Sequence, residues 1–361
     1  MKRILIISFL IFFAFSFNAF ASEEAESLYD ILPKEEKEIL YEAGIESADY
    51  KEVLNFDIKK FFSFLQNKLK EEIKKPFKAA AETIAVLILY AAFMSFEKNE
   101  TPLEKAALIC CTLVCSLLLI SAISDFLRRS ASLLSSSGEF LLSASAIYSA
   151  LLYMGGNATF ASSYSYITIF AGNIISFVFS YIANPVLNVF LSFSVVSGLS
   201  ERLTLSKFCD FFYKAVRITL AFSLTVFTAI LSLQSAVFSS VDAAIVKTAR
   251  FAVSSFVPAV GSAISDAVTS VYSSVKLLRS GMGAFGILAA LVIFAPHLIS
   301  YAVWKIMCAL TLLVSETFGI KNVSTLLKAA EKTLDIMAAL LISCMAVIII
   351  ISGVVLSAGK V

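Results

Sequence analysis

Few residues of this chain have the type and spacing that catalysis requires. His297 is the single histidine among 361 residues, whereas hydrolytic zinc sites need several nitrogen or sulfur ligands and Ser-His catalysis needs an activated serine. Its neighbour Pro296 removes one helical donor and leaves the carbonyl four residues earlier free. We expect the imidazole to satisfy such a carbonyl. The alternative is a functional role, because an ionisable residue within an apolar, membrane-spanning segment is usually functional.

Two further patterns imitate binding motifs. Residues 281–286, Gly-Met-Gly-Ala-Phe-Gly, match G-x-G-x-x-G letter by letter. That pattern binds dinucleotides only between a buried strand and a helix of a βαβ unit, and here it opens an apolar run, so we predict a flexible or closely packed entry into that run. Cys111 and Cys115 share a helical face without a nearby histidine or carboxylate, and we predict that they are packing residues. The sequence therefore predicts no catalytic, cofactor-binding or metal-binding residue.

The composition indicates lipid as the solvent for most of the chain. Hydrophobic residues make up 59% and charged residues only 16%, with a mean hydropathy of +0.87. Soluble domains carry about a quarter charged residues. We predict an all-α, polytopic membrane helix bundle without a nucleic-acid partner.

Residues 1–21 read as a secretory signal peptide. Lys2 and Arg3 precede the apolar residues 4–17, and Ala19-Phe20-Ala21 is a cleavage site of the A-x-A type. We expect cleavage before Ser22; the alternative is an uncleaved membrane anchor. In both cases residues 22–78 would lie outside the cytoplasm.

The predicted exported segment, residues 22–78, changes its charge along its length. Residues 22–57 contain twelve acids and three lysines, for a net charge of −9, and residues 58–78 contain seven lysines and two glutamates, for +5. Pro33 predicts a helix start and Gly44 its end. Asp57 is predicted to cap a basic amphipathic helix. That helix fits either a membrane surface or an ordinary solvated face packed on its neighbours.

The predicted multispan domain covers residues 79–361. Its clearest spans are 79–96, 106–124, 215–236 and 338–357, each near the roughly 20 residues that cross a bilayer. The serine-rich 133–154, the stretch 160–200 divided by Pro185, and the run 284–313 bring the expected number to six or seven. Asp125 is expected at the end of a span, where solvent supports its charge.

Within this domain, the block 256–316 is broken and partly polar. Its sharpest elements are Phe256-Val257-Pro258-Ala259-Val260-Gly261 and Ser265-Asp266, followed by Ala295-Pro296 and Tyr301-Ala302-Val303-Trp304-Lys305. Pro258, Gly261, Asp266, Pro296 and His297 are its candidate structural or functional residues, because interrupted helices survive at membrane depth only where protein or a wet cavity surrounds them. With the export signal and the multispan layout, this block resembles the stage III sporulation protein AE family. Ser262 stands where a second glycine is common in that family.

The resemblance implies a function. It implies a non-enzymatic subunit of the complex that joins mother cell and forespore, needed for spore development after engulfment, in the mother-cell membrane around the forespore. The implied partners are other stage III sporulation membrane proteins, including a secretion-type ATPase and ring-forming subunits, together with the lipid bilayer. The alternative is a secondary transporter of a small solute, since transport sites often use helix breaks.

Overall fold

The computed structural model describes residues 28–48, 53, 56–96, 102–154, 158–177, single positions between 211 and 229, and 261–357, with side chains in the last range from 280 onward. In these ranges the regular structure is entirely helical. The helices are α1 (Lys34–Glu42), α2 (Ile58–Glu72), α3 (Lys74–Phe96), α4 (Pro102–Met154), α5 (Ala158–Phe177), α6 (Gly261–Thr317) and α7 (Lys321–Ser357).

Local sequence signals set the first two helices. Pro33 precedes α1, whose first turn is acidic, and the chain turns at Gly44 with a φ of +88°, a conformation that glycine adopts without strain. The Asp57 side chain accepts a hydrogen bond of 2.8 Å from the backbone N–H of Lys59 at the start of α2. Both predicted helix starts are confirmed.

The segment around α1 packs against the longer helices. Leu28 and Leu40 are fully buried and join the same hydrophobic core as Phe285 of α6 and Leu133 of α4. The residues before Asp57 are too few to form a core of their own, and they share the core of α4 and α6 instead.

The helix α4 is continuous through two runs that we predicted as separate spans, 106–124 and 133–154. It contains 53 residues, which at 1.5 Å per residue is ~80 Å, far longer than the ~30 Å hydrocarbon core of a bilayer. Asp125 lies near its middle and not at a helix end, so that expectation is wrong. The helix continues because its central charges pair with residues of α2 and α3.

The helices α6 and α7 form a long antiparallel hairpin. Between them the chain turns at Gly319, whose φ is +69°. At Gly283 an added Cβ would lie 2.8 Å from the Ser352 carbonyl oxygen, and at Gly286 it would overlap Ser352 and Tyr148. Two glycines of the G-x-G-x-x-G sequence, Gly283 and Gly286, thus let α6 approach α7 and α4 closely.

Four of the described helical stretches are long and apolar enough to cross a membrane: Ile58–Ser95, Pro102–Met154, Ser280–Thr317 and Lys321–Ser357. They contain the predicted spans 79–96, apart from its last residue, 106–124 and 338–357. The predicted span 215–236 and the division at Pro185 lie outside the continuously described residues.

Candidate functional site: charged clusters between apolar helices

An ion pair joins α4 to α2 at the middle of α4. Arg129 donates two hydrogen bonds to Glu72, of 2.7 Å from Nη1 to Oε1 and 3.0 Å from Nη2 to Oε2. This bidentate geometry fixes both position and angle of the guanidinium. The Glu72 side chain is only 16% exposed, so its charge depends on this partner for stabilisation.

A second ion pair joins α4 to α3 one turn away. Asp125 accepts a hydrogen bond of 3.3 Å from Lys75 and one of 3.2 Å from Arg128 of its own helix. We call the five residues Glu72, Lys75, Asp125, Arg128 and Arg129 the arginine cluster. It fastens α2, α3 and α4 at one level.

The helix α6 places Pro296 and His297 against the arginine cluster. His297 lies close enough to Arg129 and Glu72 to interact electrostatically with both. Its Nδ1 atom is buried and, among the described residues, has no hydrogen-bond partner. One turn further, the buried Ser300 hydroxyl lies beside the Glu72 carboxylate and interacts with it. The expected bond from His297 to a freed carbonyl stays a prediction.

A second charged group, the lysine cluster, lies about two turns along α6 from His297 and consists of Tyr301, Lys305, Glu331 and Asp335. Lys305 donates to both carboxylate oxygens of Asp335, each at 2.9 Å, and Tyr301 donates to Oδ1 at 2.8 Å. Glu331 lies 4.0 Å from the same ammonium. With two carboxylates and one lysine, this cluster joins α6 to α7 at the level where the apolar run 338–357 begins.

Neutral polar contacts continue the connections between helices. The hydroxyls of Tyr148 and Ser352 are 3.2 Å apart, and Tyr164 donates to the Ile351 carbonyl at 3.0 Å. Ser136 donates to Glu36 at 2.5 Å, which joins α4 to the N-terminal α1. Each contact joins segments that are distant in sequence, so together they specify one arrangement of the helices.

The five candidate residues predicted from the sequence are not brought together by the described structure. Pro258 lies outside the described residues, Gly261 begins α6, and the backbone of Asp266 is helical. Pro296 is buried within α6, which continues through it without a break, and His297 alone reaches a charged cluster. The break expected at Pro296 is therefore absent from α6, and the break expected at Pro258 and Gly261 stays a prediction.

Asp335 was not predicted as a site residue, although its position beside an apolar run resembles that of Asp125. Asp335 stands three residues before the apolar run 338–357, as Asp125 follows the run 106–124. Its partner Lys305 appeared only as part of a family resemblance. The pairing itself depends on the hairpin of α6 and α7, which no local pattern specifies.

The fold and its clusters define a helical protein with membrane-length apolar helices joined by ion pairs at their charged interruptions. The profile of the stage III sporulation protein AE family matches residues 45–359, and the chain belongs to this family. A curated relative, stage III sporulation protein AE of Bacillus subtilis (strain 168), is 23% identical over 208 residues. That match covers 57% of this chain and 52% of the relative, about half of its length. No solved structure matches the chain. Membership gives this protein a role in sporulation.

Proposed function

We propose that this chain is a non-enzymatic membrane subunit of the sporulation channel or secretion complex that links mother cell and forespore. The family match over residues 45–359 carries this proposal. The geometry supports it, because the described charged clusters are occupied in joining helices, as a scaffold within an assembly requires. The subunit is needed for spore development after engulfment.

The proposal includes a topology in the mother-cell membrane around the forespore. The signal peptide at 1–21 directs export, residues 22–78 lie outside the cytoplasm, and six or seven spans follow in 79–361. The four membrane-length helical stretches support the spans proposed near the beginning and near the end of residues 79–361.

The proposed partners are other stage III sporulation membrane proteins, including a secretion-type ATPase and ring-forming subunits. An affinity-tagged copy, cross-linked in sporulating cells and purified, should bring these proteins down as the main specific set. A tagged unrelated multispan protein expressed at the same stage is the control. Recovery of this chain without any of them, under conditions that recover other complexes of the sporulating membrane, would contradict the proposal.

The alternative function is a secondary transporter of a small solute. It drew on helix breaks at Pro258, Gly261 and Pro296. Because α6 continues through Pro296, one of these breaks is absent, which favours the subunit instead. Gene order separates the two cheaply: neighbouring genes for a secretion ATPase and small membrane proteins favour the subunit, and an isolated permease-like locus favours transport. Solute uptake by purified protein in liposomes would support the transporter.

A further inference from the structure

The amphipathic helix α2 uses only part of its apolar surface inside the protein. Phe64 is buried, and Phe61 and Leu65 are partly buried against the main core. Lys68, on the same side, pairs with Glu42, the last residue of α1, at 2.7 Å. This side of α2 is therefore fully accounted for by contacts within the chain.

The rest of the apolar surface of α2 is exposed. Ile58 and Phe62 are 64% and 61% exposed, and Leu69 and Ile73 follow on the same side at 46% and 39%. At 100° per residue these four positions fall within a sector of ~60°. We call them the apolar stripe. Four large apolar side chains in one row on a helix with an otherwise polar surface indicate a surface that is covered in the working protein.

The charges beside the apolar stripe indicate what covers it. Lys59, Lys60, Lys70 and Lys74 are exposed, and none of them forms an ion pair within the described part of the chain. On the helical projection Lys59 and Lys70 lie about 40° and 60° beyond the edge of the stripe, on the side facing away from the protein. Apolar side chains bordered by unpaired lysines fit an anionic bilayer surface, where the rings enter the interface and the ammonium groups meet headgroups.

The direct connection to α3 supports the same partner. Only Ile73 separates α2 from α3, and exposed apolar residues continue there at Phe77, Ile88 and Leu89. Four lysines and two glutamates in α2 itself prevent it from entering the hydrocarbon core. A helix of this kind next to a membrane-length helix lies at the interface.

We propose that the apolar stripe of α2 docks on the anionic lipid surface of the membrane that α3 enters. This docking would make α2 a fixed interfacial anchor that holds α1 and the arginine cluster at a defined height above the bilayer. The proposal concerns lipid contact alone and does not depend on the sporulation complex.

The first experiment places a tryptophan on each side of α2 in the full-length protein reconstituted into bilayers. Phe62→Trp reports on the apolar stripe and Asn67→Trp, an exposed position on the opposite side, is the matched control; buried Trp304 gives a constant background. The quenchers are brominated lipid and aqueous iodide. Brominated lipid should quench the fluorescence added by Phe62→Trp, and iodide should quench the fluorescence added by Asn67→Trp. Iodide quenching of both would show a solvated stripe, and protection from both quenchers would show a protein cover; either result overturns the proposal.

The second experiment tests the anionic component. The lysines Lys59, Lys60, Lys70 and Lys74 are changed to Gln in the Phe62→Trp protein, and brominated-lipid quenching is compared in bilayers with and without phosphatidylglycerol. Since each lysine near an anionic surface favours binding by roughly fivefold, the lysine form should lose quenching when phosphatidylglycerol is removed, and the Gln form should be insensitive to it. Equal dependence of both forms on the lipid would overturn the role of the lysines. Unchanged far-ultraviolet circular dichroism verifies that each variant is folded.

Discussion

Arg129 binds Glu72 through two hydrogen bonds, of 2.7 and 3.0 Å, and so fastens the middle of α4 to the end of α2. Next to this pair, His297 of α6 brings the third helix to the same level. The contact explains why α4 continues through its charged centre. Without a partner for Arg129, residues 125–129 would place an unpaired charge in the middle of an apolar helix.

Breaking the ion pair of Glu72 and Arg129 should lower the stability of the protein. Glu72→Gln keeps the shape of the side chain and removes its charge, and we expect a loss of about 1 kcal/mol in the free energy of unfolding, because Arg129 is 46% exposed and water screens it. Thermal unfolding of the purified protein in detergent measures the change. The matched control is Arg128→Gln, whose side chain is 82% exposed and should have less effect. An equal effect of the two variants would show that the bidentate pair contributes nothing specific.

Removing the cation of the lysine cluster should destabilise the protein more than breaking the pair of Glu72 and Arg129. Lys305→Met leaves Asp335 and Glu331 without their common cation, and we expect a cost of about 2 kcal/mol. The double variant Lys305→Met with Asp335→Leu should regain part of that stability, because no isolated charge remains at the position of Asp335. A double-mutant cycle of unfolding measurements gives the coupling.

The control for the lysine cluster is the ion pair between Lys328 and Glu316. Its side chains are 55% and 49% exposed, so Lys328→Met should cost less than about 1 kcal/mol. A double variant no more stable than Lys305→Met, or a control variant as damaging as Lys305→Met, would contradict the importance assigned to Asp335.

Close packing at the glycine-rich start of the α6 apolar run predicts a steric effect. A methyl group at Gly286 would overlap Ser352 and Tyr148, and Gly286→Ala should destabilise the protein by roughly 1–3 kcal/mol. Gly353→Ala is the matched control: the added Cβ meets nothing within 4 Å, and helix propensity favours alanine by up to about 1 kcal/mol. Both are measured by thermal unfolding. Tolerance of alanine at Gly286 would mean that α6 and α7 are further apart than described.

Docking of the α1 segment predicts a local effect on residues 28–48. Leu40 is fully buried, and Leu40→Ala should cost roughly 2–5 kcal/mol of the docking free energy, since a cavity remains where the side chain packed. Amide hydrogen exchange should then become faster throughout 28–48 and stay unchanged in α7. The adjacent Tyr41 is 65% exposed, so Tyr41→Ala is expected to leave the exchange rates as they are. Fast exchange of 28–48 in the unmodified protein would exclude the docked position.

Local structure was well predicted from sequence, because single residues specify it. Asp57 caps α2, Pro33 precedes α1 and Gly44 follows it, and each acts through its own backbone or side-chain geometry. Cys111 and Cys115, predicted as packing residues, are buried with Leu87 of α3. Such features depend on neighbours within a few residues or on an apolar face.

Pairings between distant residues could not be predicted from sequence. An isolated charge after an apolar run usually marks a helix end, so the sequence predicts one at Asp125. The pairing with Lys75, 50 residues away, cannot be seen in the sequence. In the same way α1 is too short for a core until α4 and α6 cover Leu40. Within the candidate site, His297 was predicted from the sequence but its charged neighbours Glu72 and Arg129, which α2 and α4 bring to it, were not.

The central claim, an essential subunit of the sporulation complex, is tested most directly by deleting the gene in the sporulating host and counting heat-resistant spores. The account predicts that spore formation stops after engulfment, that a second copy of the full-length gene restores it, and that the complementing protein is recovered in the membrane fraction. Normal numbers of heat-resistant spores in the deletion strain would contradict the account.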